Sequence, residues 1–226
     1  MVYYTRFRIF DIQKNKERKH KMNQIRNVLA IGAHPDDIEL GCGGSLAKLV
    51  NDGAHVRALV LTKGHAGNRF NADRVDETRR ALALLGVTDV HTADFPDTQM
   101  EKKLRKVITF IEKHTVELKP DRVYTMFEND RHQDHRTTFQ ATIVACRAAR
   151  QVLCYETPSC WPGFEPQVFE DIDGFLDKKI HALALHKSQC DRPYTQPEAM
   201  RINALSRGQH IGIGPAEGFI GYKIVL

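Results

Sequence analysis

The chain has 226 residues, 42% of them apolar and 27% charged, a balance that supports one globular domain with a full core and argues against general disorder. Its formal charge of +5 comes from 33 Lys and Arg against 28 Asp and Glu, but seven of the basic and two of the acidic residues lie within residues 1–21, leaving 26 of each elsewhere. The body is formally neutral, which argues against a nucleic-acid-binding face, and no apolar run approaches the roughly 18 residues of a membrane span.

The basic stretch does not read as a signal peptide, because Arg6 and Arg8 interrupt its one apolar segment. The expected organisation is a basic, disordered extension over residues 1–22 ahead of a single domain over residues 23–226. Five cysteines, odd in number and without CxxC spacing, point to a reducing cytoplasm.

The apolar run from Asn27 to Ala33 predicts a buried strand of a parallel sheet that ends in a polar cluster. A helix is expected over Gly43 to Val50, closed by Gly53, and a second strand over His55 to Thr62. A glycine-bearing loop leads to a helix over Asp73 to Leu85, with Val75, Leu82 and Leu85 on one face and Gly86 as its stop. Then come a strand near Val90, a polar loop from Asp94 to Thr98, and a helix over Met100 to Leu118 striped by Met100, Leu104, Val107, Ile108 and Ile111. Arg122 to Phe127 reads as a strand, Glu128 to His135 as a loop and Thr138 to Ala149 as a helix. The last third is less regular: strands over Val152 to Glu156 and Val168 to Ile172, a helix over Phe175 to Ser188, and a final strand over Phe219 to Val225. The alternation predicts an α/β fold, Rossmann-like, with a mostly parallel sheet, helices on both faces and a single domain.

Ligands of open α/β sheets gather outside the carboxyl ends of strands, and two loops there carry metal-capable side chains. One is His34-Pro35-Asp36-Asp37; the other runs from Asn129 to His135. Adjacent aspartates at a strand end repel each other, and a divalent cation resolves the conflict. His34, one aspartate and a histidine of the second loop would make two imidazoles and a carboxylate with an open fourth position, the pattern of a catalytic zinc. Such an ion lowers the pKa of water to about 7 and polarises a carbonyl, leaving the other aspartate to act as general base. Taken alone, Asp36 and Asp37 would serve as well in capping a helix; the second loop favours the metal. Asp134 reads equally as a support for a ligand histidine or as a cap. Cys42 reads as a small buried thiol, and the neighbouring GlyCysGlyGly run lacks the Lys-Ser/Thr of a phosphate loop.

The motifs AHPDD (Ala33 to Asp37), HQDH (His132 to His135) and HKSQ (His186 to Gln189) resemble those of PIG-L/LmbE-type zinc-dependent N-deacetylases of sugar conjugates, over nearly the whole body from Asn27 to Leu226. The resemblance implies Zn2+ held by His34, Asp37 and His135; imidazole and carboxylate ligands would also accept another divalent ion such as Fe2+. It implies Asp36 as general base and His132 as the group that stabilises the oxyanion and can protonate the leaving amine. Arg74 and Asp97, with Glu77 and the GlyGlySer run, fall where the family handles the sugar. One departure is Gln133, where the family commonly has proline.

The expected activity is removal of the N-acetyl group from an N-acetylglucosamine-type conjugate, releasing acetate and a free amine. The expected partner is that small molecule, with no nucleic acid and no membrane; assembly into a homo-oligomer stays open. Two alternatives are metal-dependent hydrolysis of another amide or a phosphoester, and a non-catalytic protein that binds carbohydrate or nucleic acid. Phosphoester chemistry usually wants two metals about 3.5–4 Å apart, and the candidate ligands suffice comfortably for one.

Overall fold

Strand β1 (Asn27–Gly32) is buried from Val28 onward, as a strand with neighbours on both sides and helices over both faces must be. The computed structural model describes residues 25–68 and 71–225, so the expected basic extension over residues 1–22 lies outside the described residues. After β1 come α1 (Asp37–Asn51), β2 (His55–Val60), α2 (Arg74–Leu85) and β3 (Asp89–Thr92). A 3-10 turn over Met100–Lys103 leads into α3 (Leu104–Leu118), followed by β4 (Arg122–Thr125), α4 (Gln133–Ala145), β5 (Gln151–Tyr155) and β6 (Val168–Asp171). The chain closes with α5 (Leu176–Leu183), two short 3-10 turns, α6 (Pro197–Gln209) and β7 (Ala216–Ile224).

The sheet has seven strands in the order β3-β2-β1-β4-β5-β7-β6. Strands β1 to β5 are parallel, and β7 runs antiparallel to both β5 and β6. The mostly parallel α/β fold expected from the alternation is the observed one. Helices α1, α2 and α5 pack against one another in one layer, and α3 packs with α4 in the other. Strand order reverses between β1 and β4, so the loops leaving these two strands part and leave a crevice, the usual ligand position in such sheets. Both metal-capable loops open there.

Helix α1 packs unusually close to the sheet. A Cβ on Gly41 would sit 2.1 Å from the Tyr155 ring, and one on Gly44 2.9 Å from Ile172. The glycine run is therefore a packing surface. Cys42 forms a kink inside this helix, with φ −145°, and its buried thiol donates to the Ile38 carbonyl at 3.3 Å.

Four differences from the sequence expectation bear on the site or on the helix count. Helix α1 begins at Asp37 rather than Gly43, because Asp36 starts it from a left-handed conformation without a side-chain cap bond. Helix α4 begins at Gln133 rather than Thr138, and its N-cap is His132, whose ring accepts from the Asp134 amide. Helix α5 ends at Leu183, so His186 is not on a helix but precedes a 3-10 turn. Helix α6 is not expected from the pattern: its buried residues are only Met200, Ala204 and Gly208, while Ile202 and Leu205 face outward, so no apolar stripe announces it.

Candidate metal centre and active site

The loop after β1 is short and strained. Asp36 has φ 104°, a conformation that costs a non-glycine residue about 1–3 kcal/mol and persists where surroundings enforce it. The surroundings here include Arg74, which is buried and donates to the Pro35 carbonyl at 2.7 Å and the Gly64 carbonyl at 2.8 Å. Its guanidinium also lies 3.4 Å from Asp36 Oδ1. Gly64 has φ 67°, and a Cβ there would sit 2.4 Å from the Arg74 guanidinium, so both conformation and space exclude a side chain. Arg74 thus ties the loops after β1 and β2 together. Next in the chain, the Asp37 carboxylate turns back to accept the His34 amide at 2.7 Å.

The segment after β4 is organised by Asp130, which is fully buried. One oxygen accepts the His132 amide at 2.8 Å; the other accepts the Thr157 hydroxyl at 2.7 Å and meets His135 Nδ1 at 2.8 Å. His135 itself projects from the first turn of α4.

Within the first loop His34 Nδ1 lies 3.4 Å from Asp37 Oδ2, and across the crevice His135 Nε2 lies 3.5 Å from Asp37 Oδ1. Bonds of about 2.0–2.2 Å to a tetrahedral ion place neighbouring ligand atoms about 3.4 Å apart, the spacing of both contacts, which use different oxygens of Asp37; His34, His132 and His135 each bring a ring nitrogen within 4.8 Å of the others. The outer sides of His34 and His135 fit a metal site too. His34 Nε2 meets Asp134 and Asp97, each at 3.2 Å, and His135 Nδ1 meets Asp130, the carboxylate support that fixes ring and tautomer in metal-binding histidines. The cluster of His34, Asp97 and Asp134 could also be read as a cation site. Its carboxylates are already spent: Asp134 accepts the Thr98 and Met100 amides at 2.7 and 3.1 Å, and Asp97 accepts the Ala66 amide at 2.7 Å. They brace His34 from behind.

His132 stands edge-on to His34, with ring centroids 4.6 Å apart, and stacks on His135 at 4.7 Å. Its Nδ1 accepts the Asp134 amide, so the neutral ring carries its proton on Nε2. These groups line a cavity of about 540 Å³, with Asp36, Asp97, Arg131, Gln189, Arg192 and Tyr194 among its other walls.

Burial raises both aspartates of the first loop, with opposite outcomes. It pushes Asp36 up to about 6 against the pull of Arg74. At Asp37 burial acts in the same sense, but His135 and His34 outweigh it and hold the carboxyl well below the usual carboxylate range. Asp97 is lowered to about 2, His34 overcoming the cost of burial. Burial, then the neighbouring His34 and His135, lower the pKa of His132.

Every residue singled out in the two loops lies at this crevice, and Arg74 and Asp97 also line the cavity. Asp134 is set behind His34 of the other loop. The GlyGlySer run lies elsewhere: Glu217, paired with Lys179, accepts the Gly44 and Ser45 amides in the core. Glu77 is also buried, where it accepts the Ser188 amide at 3.0 Å and the Ser188 hydroxyl. His186 bonds Glu39 at 3.0 Å, so the HKSQ segment is anchored by buried carboxylates. Gln133 occupies the first position of α4, where proline is also well suited, and its side chain donates to the Thr98 carbonyl at 3.0 Å. Asp130 is the functional residue that the sequence alone does not single out; its one signal is an acidic residue five positions before a ligand-type histidine.

A family model described as "PIG-L: GlcNAc-PI de-N-acetylase" matches residues 29–146. The chain is 45% identical over 172 residues to an uncharacterized deacetylase, YaiS, of Escherichia coli K12, covering 74% of this chain and 93% of that protein. It is 30% identical over 224 residues to the diacetylchitobiose deacetylase of Thermococcus kodakarensis, covering 87% and 83% of the two chains. Among solved structures, the conserved protein TT1542 of Thermus thermophilus superposes with a TM-score of 0.76 at 26% identity, covering 89% of this chain and 97% of that one.

Proposed function

The chain belongs to the PIG-L family, and from that premise we propose that it is a zinc-dependent N-deacetylase acting on an N-acetylglucosamine-type amino-sugar conjugate. The observation that carries this reading is the Asp37 carboxylate meeting His34 Nδ1 at 3.4 Å and His135 Nε2 at 3.5 Å, with Asp36 and His132 lining the same cavity. Relatives named as deacetylases of diacetylchitobiose and of N-acetylglucosaminyl malate support the substrate class. Five free cysteines fit a reducing cytoplasm, and among the described residues no helix is long and apolar enough to cross a membrane.

His34, Asp37 and His135 would hold the ion. When bound there, Zn2+ supplies Lewis-acid polarisation of the acetyl carbonyl and lowers the pKa of water to about 7. Asp36 takes a proton from the attacking water as its oxygen bonds to the acetyl carbon. His132 donates its Nε2 proton in a hydrogen bond to the carbonyl oxygen as negative charge grows there. The C–N bond then breaks while Asp36 returns the proton to nitrogen, releasing acetate and a free amine. Asp134, Asp97 and Asp130 hold the two metal-facing imidazoles in orientation. Arg74 shapes the first loop at the substrate's edge.

The test is acetate and amine release from N-acetylglucosaminides by zinc-loaded protein, together with metal analysis. Equimolar zinc and stoichiometric acetate are expected. Phosphate release from phosphoesters without acetate from any N-acetyl sugar would overturn the reading, and so would stoichiometric metal left unchanged by His135→Ala.

A further inference from the structure

Three arginines line the cavity, and they are not equivalent. Arg74 donates to the carbonyls of Pro35 and Gly64, and Arg131 to those of Pro158 and Ser159. Both guanidiniums are committed to holding loops, Arg74 through its two terminal nitrogens while its Nε stays buried and unbonded. Arg192 has no such partner: its Nε is buried without a hydrogen bond, and among the described residues no carboxylate pairs with it.

Its backbone, by contrast, is firmly set. The Arg192 carbonyl accepts the Thr195 hydroxyl at 2.9 Å, the Thr195 amide at 3.1 Å and the Gln196 side chain at 3.1 Å. The Arg192 amide donates to the Gln189 carbonyl at 3.0 Å, and the preceding Ser188 is pinned to the buried Glu77. A buried guanidinium nitrogen left unbonded is costly, so a fixed arginine of this kind is matched to a group that arrives with the ligand. The charge of the cavity gives the sign of that group. Its lining sets three guanidiniums against three carboxylates, Asp36, Asp37 and Asp97, and Arg192 is the guanidinium with no carboxylate paired to it among the described residues, so the group it awaits is anionic.

We infer that Arg192 is a specificity residue that recognises an oxyanion, a carboxylate or a phosphate, on the substituent attached to the amino sugar. The inference rests on the proposed deacetylase reading and narrows its substrate class from amino-sugar conjugates in general to anionic ones. A planar guanidinium with free donors suits either oxyanion, and charge-assisted bonds of this type are worth about tenfold or more in affinity.

The experiment compares three substrates on zinc-loaded protein: methyl N-acetylglucosaminide, its carboxymethyl counterpart and N-acetylglucosamine 1-phosphate. Wild type is expected to show kcat/KM at least about tenfold higher for one or both anionic substrates, through KM. Which of the two leads identifies the oxyanion. Arg192→Gln should bring the anionic-to-methyl ratio close to one, and Arg192→Lys should retain part of it. Equal kcat/KM for all three substrates in wild type overturns the inference while leaving the deacetylase reading intact; so does a preference that survives Arg192→Gln. If no acetate is released from any of them, the deacetylase reading fails, and calorimetry still decides the inference. Glucosamine 1-phosphate should bind wild type more tightly than methyl glucosaminide, and Arg192→Gln should abolish the difference; equal binding to wild type overturns it.

Discussion

The two histidines that face the candidate metal point are held by different means. His34 leaves a short strained loop, and its outer nitrogen is shared by Asp97 and Asp134, which are 63 and 100 residues away in the chain. His135 stands on a helix, and its outer nitrogen meets a single carboxylate, Asp130, only five residues earlier, with the Ser159 hydroxyl at 3.2 Å as its other neighbour. The first support is redundant and assembled from distant segments, while the second is local and rests on one acid. Loss of one brace should therefore be tolerated on the first side and felt on the second.

The largest effect lies in front of both supports. His135→Ala is expected to lose stoichiometric zinc and with it essentially all turnover, and zinc added after chelation should restore the wild type but not the variant; metal analysis beside acetate release reads both. Asp36→Asn should retain zinc and lower kcat by about 10²–10⁴-fold, the usual worth of a general base. Asp36→Gly should be as inactive yet more stable, because glycine adopts the left-handed conformation freely; a gain of about 1 kcal/mol would raise Tm by about 2–4 °C. A Tm that falls would show that Asp36 contributes more through its contacts than it costs in strain.

Below these come the braces themselves. Asp130→Asn is expected to weaken zinc binding about 10–100-fold, as loss of an outer carboxylate typically does. Asp97→Asn should cost less than about tenfold, since Asp134 still engages His34. Competition with a chelator of known affinity measures both, and equal losses would end the distinction between redundant and single support. The smallest effect concerns the basic extension: a chain begun at Met22 should keep kcat/KM within about twofold, because the cavity is built by residues from 34 onward.

Much of this is legible in the sequence. The strands announce themselves as apolar runs, and His34 to Asp37 and Asn129 to His135 stand out because concentrated charge at the carboxyl end of a buried strand needs a reason. What escapes does so for identifiable causes. Helix α4 begins with a polar turn capped by a histidine, which is not a preferred capping residue, so the pattern starts the helix five residues late and leaves Asp134 and His135 in the loop. Helix α6 carries Ile202 and Leu205 on its exposed side, which breaks the periodicity by which helices are recognised. Asp130 lies in the loop already singled out, yet nothing in spacing distinguishes the acid that orients a histidine from one that is merely exposed.

The sequence by itself determined the order of elements, the class of fold and the two strand ends at which charge accumulates, because these follow from the apolar pattern of adjacent residues. Only the tertiary structure decided which carboxylate braces which imidazole, that Asp134 serves the histidine of the other loop, and that Arg192 is left without a partner for its buried nitrogen. Hydrophobic periodicity is a short-range property of the chain. Pairing between residues 100 positions apart is set by the strand order of the sheet, which brings the ends of β1 and β4 side by side.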